Sequence, residues 1–443
     1  MCGGSVDLGL SLPAAAGEGA VGEALAKSRY VGMLPHSASL PRQEPLILVD
    51  CQSSMEAGAS RKLTYMPELD GMRAIAIGAV MLYHFWDYRG SNLVGHWDYS
   101  VSNVVGQAVS VVASTGWAGV DVFFAISGFL ITGILLDAKD RSGYFRRFFI
   151  RRSLRIFPLY YAVTTLILVA GLLIKYLDLP VSSPSLNSLD RLWVNYLYLV
   201  DFAVAFGDSN SVPLAIAWSL AIEEQFYLVY PFIVLYTSRR TLMRVLLASL
   251  VLAPALRILF FLWTDNYSTA YSLPFCRMDN LAVGGVALLI LRHGSELTRE
   301  RVIRATPWIW AVTVIFLFSW TRKDLPYVMI GYSLVAMATA ATIVCLQRSR
   351  WLWLLSLLRR PSMIYIGRIS YGLYLLHLFV RLAVDQGPLK ALIAGAGIDL
   401  GATVLRLGLL FIGAIAAATV SWYAFEKPIL KLKDRFAPPA AES

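Results

Sequence analysis

The chain carries many long apolar runs, and each is close to the length of about 20 residues that an α-helix needs to cross a bilayer. Only 15% of its 443 residues are charged, against about a quarter in a typical soluble domain. Ten runs read as helices, at about 72–87, 117–136, 156–176, 213–237, 242–264, 279–293, 306–321, 327–347, 364–383 and 402–425. We therefore predict an all-α, polytopic membrane helical bundle with about ten transmembrane helices.

Basic residues set the direction of these spans, because loops rich in Lys and Arg stay in the cytoplasm. A basic stretch, "RRFFIRRSLR", follows the second run, and further basic clusters occur within 239–244, 292–304, 348–360 and 427–435. All of these fall on one side only if an eleventh candidate run, 186–206, does not cross. We therefore predict that both termini are cytoplasmic and that 186–206 is an interfacial or re-entrant segment.

The same bias accounts for the formal net charge of +10, so the lipid bilayer is the expected partner and no nucleic acid is. Residues 1–62 lack an apolar run long enough for an anchor, which predicts a disordered cytoplasmic N-terminal tail. We expect residues 63–432 to form the transmembrane domain and 433–443 a short cytoplasmic C-terminal tail, with no soluble domain after Phe436. The cysteines lack the spacing of metal ligands, and no metal site is predicted.

The first span, "LDGMRAIAIGAVMLYHF", holds two residues that are costly in lipid, Arg73 and His84. The helical rise between them is about 16 Å and the rotation about three turns, so the two side chains point the same way. The predicted topology puts Arg73 at the cytoplasmic mouth and His84 in the outer half of the bilayer. Ionisable residues inside spans mark functional sites by default, so this helix face is predicted to belong to one.

Other spans bring polar residues to matching depths. The outer half of the bundle is predicted to collect His377, Glu223, Trp218, Ser219, Arg277, Asp279 and Asp121, the last at the outer end of the second span. The cytoplasmic edge is predicted to collect Arg73, Arg151, Arg152 and Arg155. Such a group of guanidinium ions suits a multiply phosphorylated ligand, which arginines bind through bidentate contacts.

Several motifs follow one another in a fixed order: Arg73 and His84 after "LDGMR", then "GVDVFFAISGFLIT", "RRSLRIFPLYY", "WSLAIEEQFY", "RMDNLAVGG", "ISYGLYLLH" and "YAFEKPI". Over about residues 64–432 this series resembles the membrane acyltransferase-three family, bacterial O-acyltransferases that modify surface and secreted carbohydrates. The resemblance implies an acyltransferase domain in the bacterial inner membrane. It also implies an essential Arg73–His84 pair, with His84 as the catalytic base and acyl-CoA as the donor.

A thioester is already activated, so the transfer needs a base for the acceptor hydroxyl and a hydrogen-bond donor for the developing oxyanion. His84 fits the base, and Asp121 or Glu223 could fix its tautomer in the manner of a catalytic triad. Three residues could donate a hydrogen bond to the oxyanion, and the sequence does not choose among them: His377, Arg277 and Tyr371.

The basic group at the cytoplasmic edge would hold the phosphates of coenzyme A, with acetyl-CoA as the default co-substrate and no permanently bound cofactor. A carbohydrate acceptor would enter from the outer face, where the predicted substrate-binding residues are Trp218, Ser219, Arg277, Asp279 and Tyr371. A proton-coupled membrane transporter that uses the buried His, Glu and Asp set is the alternative from a different functional class.

Overall fold

The structure is a computed structural model, and it describes residues 64–86, 104–178, 189–207, 212–386 and 400–436. Within these ranges all regular structure is helical, as the sequence predicts. The predicted tail at 1–62 and residues 437–443 of the predicted C-terminal tail lie outside the described residues.

The helices are α1 (Pro67–Phe85), α2 (Val104–Ser114), α3 (Gly119–Ala138), α4 (Tyr144–Tyr176), α5 (Trp193–Tyr196), α6 (Val200–Phe206), α7 (Trp218–Tyr236), α8 (Arg239–Thr264), α9 (Tyr267–Ser272), α10 (Met278–His293), α11 (Glu296–Ser319), α12 (Tyr332–Gln347), α13 (Leu352–Leu358), α14 (Pro361–Arg368), α15 (Ser370–Gln386), α16 (Leu400–Ser421), α17 (Lys427–Lys431) and α18 (Lys433–Phe436). Short 3₁₀ turns lie at Gly116–Ala118, Leu189–Arg191, Ala215–Ala217 and Pro274–Cys276, and π-helical turns at Tyr327–Gly331 and Trp422–Glu426.

Six helical stretches in the described part of the chain are long and apolar enough to cross a membrane: Val109–Ala138, Tyr144–Tyr176, Arg239–Thr264, Glu296–Ser319, Tyr327–Gln347 and Val404–Lys431. A seventh arises if α14 and most of α15, bent by 72°, count as one span. The predicted number of ten is therefore not confirmed. Of the other predicted spans, α1 and α7 carry charged residues within 19-residue helices, and α10 has only 16 residues.

The segment 186–206 does not form a long helix. Its described part folds into a 3₁₀ turn and two short helices, the longer of which, α6, has seven residues. A seven-residue helix is about 10 Å long, far short of a bilayer core. This agrees with the prediction that 186–206 does not cross.

The helices α1, α3 and α10 pack with their backbones close together because glycines line their contacts. A Cβ at Gly119 of α3 would collide with the carbonyl oxygen of Ala76 in α1. A Cβ at Gly128 of α3 would collide with the carbonyl oxygen of Leu281 in α10. Small residues at such contacts are the usual means by which helices approach closely in lipid. The close packing holds the face of α1 that carries the functional residues against the centre of the bundle.

Both ends of α1 are fixed by charged groups from the C-terminal part of the chain. At its start, buried Glu68 accepts hydrogen bonds from Gln347 Nε2 at 2.6 Å and Arg359 Nε at 3.0 Å. At its end, Arg381 donates to the carbonyl of His84 at 2.8 Å and Arg406 to that of Phe85 at 2.7 Å. The last carbonyls of a helix have no partner within it, so the two arginines satisfy them and hold the His84 turn in place.

Candidate functional site

Two histidines that are distant in sequence meet at the His84 end of α1. Nε2 of His377, in α15, lies 3.2 Å from Nδ1 of His84, and the ring centres are 5.0 Å apart. His377 is completely buried, whereas His84 is partly exposed. The structure thus brings together the two histidines that the sequence placed at nearly the same depth.

The carbonyls around the two rings determine their tautomers. Nδ1 of His377 lies 3.0 Å from the carbonyl oxygen of Leu373 and 2.9 Å from that of Tyr374, so it must carry the proton. In the neutral ring Nε2 of His377 is then an acceptor for Nδ1–H of His84. That N–H also faces the carbonyl of Val80 at 2.9 Å. His84 therefore presents an unprotonated Nε2, and this atom makes no hydrogen bond to any described residue.

A pocket opens between α1, α3, α4, α7 and α15 and contains about 700 Å³ of space, including the solvent at its open mouth. Its lining residues are Arg73, Val120, Phe123, Phe124, Ser127, Arg152, Arg155, Ile156, Ser219, Leu220, Glu223, Tyr227, Ser370, Tyr371 and Tyr374.

Three of the four predicted cytoplasmic arginines line this pocket. Arg73 donates to Asp70 at 2.8 Å, and Asp70 also accepts from the hydroxyl of Tyr65 at 2.8 Å. Burial, together with the hydrogen bond to Asp70 and its charge, raises the pKa of Tyr65, so this hydroxyl stays protonated as a donor. Arg152 lies over the ring of Tyr227, 5.5 Å from its centre.

No carboxylate of the described residues lies within salt-bridge distance of Arg152 or Arg155. The fourth predicted arginine, Arg151, is exposed and is not part of the pocket lining. The pocket lining therefore holds three arginines and one carboxylate, that of Glu223, and of the three arginines only Arg73 forms a salt bridge within the described residues.

Glu223 is also in the pocket, but it does not reach His84. Its two carboxylate oxygens accept hydrogen bonds from Ser127 Oγ at 2.9 Å and from the hydroxyl of Tyr227 at 2.8 Å. The prediction that Glu223 could fix the tautomer of His84 is therefore wrong, because that position is occupied by His377.

Asp121 belongs to a separate, fully buried network. It forms an ion pair with Arg277 and accepts from Asn280 Nδ2 at 2.9 Å. Asp279 lies beside it, paired with Arg257 at 3.0 Å, and all four charged side chains have no solvent-exposed surface. Asp121 lies in the first turn of α3, at the end of the second span where the sequence predicts it.

These contacts correct the roles predicted for the network. Asp121 does not orient His84, and Arg277 and Asp279 are directed towards partners within the protein instead of into the pocket. Arg277 is further surrounded by aromatic rings, 4.3 Å from the ring centre of Tyr332 and 6.0 Å from that of Trp218. Trp218 is buried in this cluster as well. We therefore assign these residues to holding the helices together.

Two remaining predicted residues border the inner end of the pocket. Ser219 Oγ lies 2.7 Å from the hydroxyl of Tyr374, which itself donates to the carbonyl of Ile216 at 2.6 Å. Tyr371 lines the pocket, but its hydroxyl donates to the carbonyl of Ile156 at 2.6 Å. Tyr374 is three residues before His377 on α15, so the pocket ends about one helical turn from the histidine pair.

Sequence reasoning missed the residues that hold the histidine end of α1. Arg406 binds both oxygens of Asp385, at 2.7 and 2.5 Å, while it donates to α1. The sequence signal that could have found them is Arg406 within the apolar run "LGATVLRLGLLFIG", because ionisable residues inside spans usually have a function. Within the described ranges, no group of three or more His, Cys, Asp or Glu residues is arranged to hold a metal ion.

The chain matches a family model described as an acyltransferase domain over residues 66–426. It is 28% identical over 340 residues to a Staphylococcus aureus (strain MSSA476) protein provisionally named an O-acetyltransferase, covering 72% of this chain and 51% of that protein. It is 27% identical over 340 residues to the peptidoglycan O-acetyltransferase OatA of Listeria monocytogenes, covering 72% of this chain and 49% of that protein. The chain spans about half the length of these curated relatives. No solved structure matches it.

Proposed function

The chain belongs to the acyltransferase family whose model it matches, and from this we propose that it is an integral-membrane O-acyltransferase of the cytoplasmic membrane. The proposed reaction moves an acetyl group from a cytoplasmic acyl-CoA to a hydroxyl of a cell-surface carbohydrate or its lipid-linked precursor. The names of both relatives support acetyl as the acyl group, and the name of the Listeria monocytogenes relative supports a glycan as the acceptor.

The basic pocket is the proposed binding site for the donor. Coenzyme A carries several phosphate charges, and a guanidinium binds a phosphate through charge-assisted, bidentate hydrogen bonds. Arg152 and Arg155 form no salt bridge with a described residue, and Arg73 lines the same pocket. The three arginines outnumber the one carboxylate of the lining, Glu223, so an anionic ligand would balance the remaining positive charge.

His84 is the proposed general base. Its Nε2 takes the proton of the acceptor hydroxyl while the hydroxyl oxygen attacks the carbonyl carbon of the thioester. Collapse of the tetrahedral intermediate breaks the carbon–sulfur bond, and the proton passes from His84 to the departing coenzyme A thiolate. His377 acts through His84: its Nε2 accepts a hydrogen bond from Nδ1–H of His84 and holds the ring so that Nε2 of His84 faces the acceptor.

The pocket and the histidine pair must connect for the transfer to occur. In the structure the pocket ends at Tyr374 and Ser219, about one turn of α15 from His377. The thioester arm of the donor would therefore have to pass the Tyr374–Ser219 hydrogen bond to reach Nε2 of His84.

One observation carries this proposal: the contacts of His84 Nδ1 assign the ring proton to that atom. They leave the basic Nε2 without a partner among the described residues, near a cationic pocket. A test is to measure coenzyme A release and transfer of radiolabelled acetyl groups in membranes that contain the protein, with and without added bacterial cell-wall glycan. We expect acceptor-dependent release that His84→Ala reduces by about two to four decades in kcat.

His293→Ala is the matched control, because His293 lies at the opposite end of the bundle beside Arg239 and should not change turnover. Protein amounts are equalised by immunoblotting. Membranes that release no coenzyme A, but in which the protein moves protons with a solute, would favour the transporter hypothesis and overturn the proposal.

A further inference from the structure

Arg322 occupies a position on the other side of Tyr83 from the histidine pair. It lies in the segment between α11 and α12, at the end of α11 that is predicted to face outwards. Its Cζ is 5.4 Å from the ring centre of Tyr83, 5.6 Å from that of Tyr267 and 5.2 Å from that of Tyr271. The hydroxyl of Tyr332 donates to the carbonyl of Arg322 at 2.7 Å, which fixes the backbone. We call these four residues, Arg322, Tyr83, Tyr267 and Tyr271, the aromatic cage.

The guanidinium in the aromatic cage has no carboxylate within salt-bridge distance among the described residues, and it donates no hydrogen bond to them. Asp324, two residues further along, accepts a hydrogen bond from the backbone N–H of Thr321 at 2.6 Å and so stabilises the turn in which it lies. Arg277 provides the contrast, because it is also surrounded by rings but is paired with Asp121.

The faces of aromatic rings attract a guanidinium ion but accept no conventional hydrogen bond from its N–H groups. Those N–H groups are the ones that bind a carboxylate or phosphate in a bidentate manner. Arg322 is only partly buried, and its side chain donates no hydrogen bond to a described residue, so its N–H groups can bind an anion from outside the protein.

The aromatic cage is close to the proposed base. The rings of Tyr83 and His84 are 5.1 Å apart and meet edge to face. The distance from Arg322 Cζ to the centre of the His84 ring is therefore at most the sum of this value and the 5.4 Å contact with Tyr83. A mono- or disaccharide can span such a distance.

We propose that the aromatic cage is an acceptor site that selects an anionic carbohydrate, with the carboxylate of the sugar on Arg322 and the reacting hydroxyl at His84. This inference rests on the proposed function, and it specifies the class of acceptor. A neutral sugar would leave the guanidinium without a counter-ion and would bind more weakly.

The test measures binding by the full chain in lipid nanodiscs, independently of turnover. Methyl β-D-glucuronide and methyl β-D-glucoside form the probe pair, because they differ in the carboxylate. The readout is the shift of the unfolding temperature with ligand concentration, repeated at high salt. We expect the wild type to bind the glucuronide about ten- to a hundred-fold more tightly than the glucoside. Arg322→Gln should remove this preference, and Arg322→Lys should restore only part of it.

Arg350→Gln is the matched control, because it makes the same change of charge at an exposed position that pairs with Glu300. Equal binding of the two sugars by the wild type, or an unchanged preference in Arg322→Gln, would overturn the inference. Nanodiscs with phosphatidylglycerol and buffers with inorganic phosphate test the other sources of an anion. Stabilisation by phosphatidylglycerol or phosphate that depends on Arg322, without any by the glucuronide, would also overturn it.

The two proposals fail in different ways. If the acceptor-dependent release of coenzyme A is absent but the glucuronide binds through Arg322, the proposed reaction fails and the anion site remains. If release occurs and neutral and anionic sugars are used equally well, the reaction stands and the anion site fails.

Discussion

Charged groups are buried in two regions of the bundle, and the two regions differ in how their charges are compensated. In the network of Asp121, Arg277, Asp279 and Arg257, each cation has a carboxylate within the protein. In the pocket, Arg152 has an aromatic ring beneath it but no carboxylate within salt-bridge distance among the described residues. A buried charge without a partner costs several kcal/mol, so such a charge persists where a ligand or solvent can reach it.

The comparison teaches that burial alone does not identify a functional charge. Arg277 is the more deeply buried cation, and yet its charge is paired with that of Asp121. Its Nε and Nη1 atoms make no hydrogen bond and lie among aromatic rings. The same criterion separates the histidines. His377 directs both nitrogens to the protein, whereas His84 keeps Nε2 available. A partly exposed charge that forms no salt bridge with a described residue is thus a better indicator of a site than a fully buried ion pair.

The largest effect is expected where the buried network is broken. Asp121→Ala or Arg277→Ala removes one partner of a buried ion pair, which destabilises a protein by about 3–5 kcal/mol because the other charge remains uncompensated. Most of the variant protein should be misfolded or degraded. Size-exclusion chromatography and thermal unfolding of the detergent-extracted protein measure this loss.

The double variant Asp121→Leu with Arg277→Met separates structure from chemistry. If the pair only holds helices together, an apolar pair should recover folded protein and also the release of coenzyme A. A double variant that folds well but does not turn over would show that these residues take part in the reaction, as the sequence first suggested.

The next effect concerns the position of the base. Tyr83→His combined with His84→Ala turns the imidazole by about 100° around α1, away from His377. We expect a folded protein with kcat lowered by about two to four decades. Tyr83→Phe is the control for the lost phenol and keeps the ring beside Arg322. Normal turnover by the displaced histidine would mean that the face of α1 is immaterial.

A smaller loss is expected at His377, because it acts only through His84. His377→Phe fills the space but cannot accept a hydrogen bond from Nδ1–H of His84. We therefore expect kcat to fall by about 10- to 100-fold, the range seen when a group that orients a histidine is removed. His377→Gln retains an acceptor oxygen and should recover part of the rate with an unchanged KM for the donor. Full activity of His377→Phe would show that His377 has no part in orienting His84 and that the carbonyl of Val80 alone fixes its tautomer.

The smallest effects are expected at the cations of the pocket. Arg152→Ala or Arg155→Ala removes one charge-assisted contact, and the KM for acetyl-CoA should rise by about tenfold while folding is preserved. Arg151→Ala, beside them in sequence but outside the pocket lining, is the matched control. Variants that raise only the KM for the acceptor would show that the pocket holds the other substrate.

The sequence predicted the parts of the site that depend on a single helix. Arg73 and His84 follow from the helical period, and the apolar runs identify the helices themselves. The shared depth of His84 and His377 follows from counting residues along spans whose direction is predicted from the basic loops. These inferences need no knowledge of which helices are neighbours.

The choice of partners could not be predicted in this way. Asp121, Glu223 and His377 were all plausible neighbours of His84, and only the packing of α1 against α3 and α15 decides among them. That packing depends on close approaches such as Gly119 to Ala76, which are contacts between segments far apart in sequence.

The two arginines that hold the end of α1 also determine when the protein can become active during its synthesis. His84 and His377 are 293 residues apart in sequence, and Arg406 is 321 residues from Phe85. At roughly 5–20 residues per second, α1 waits on the order of tens of seconds in the membrane before α15 and α16 exist. Throughout that interval its terminal carbonyls and its imidazole must be satisfied by lipid headgroups, water or the insertion machinery. On the proposed mechanism, the nascent chain therefore has no correctly held base until α16 has been inserted.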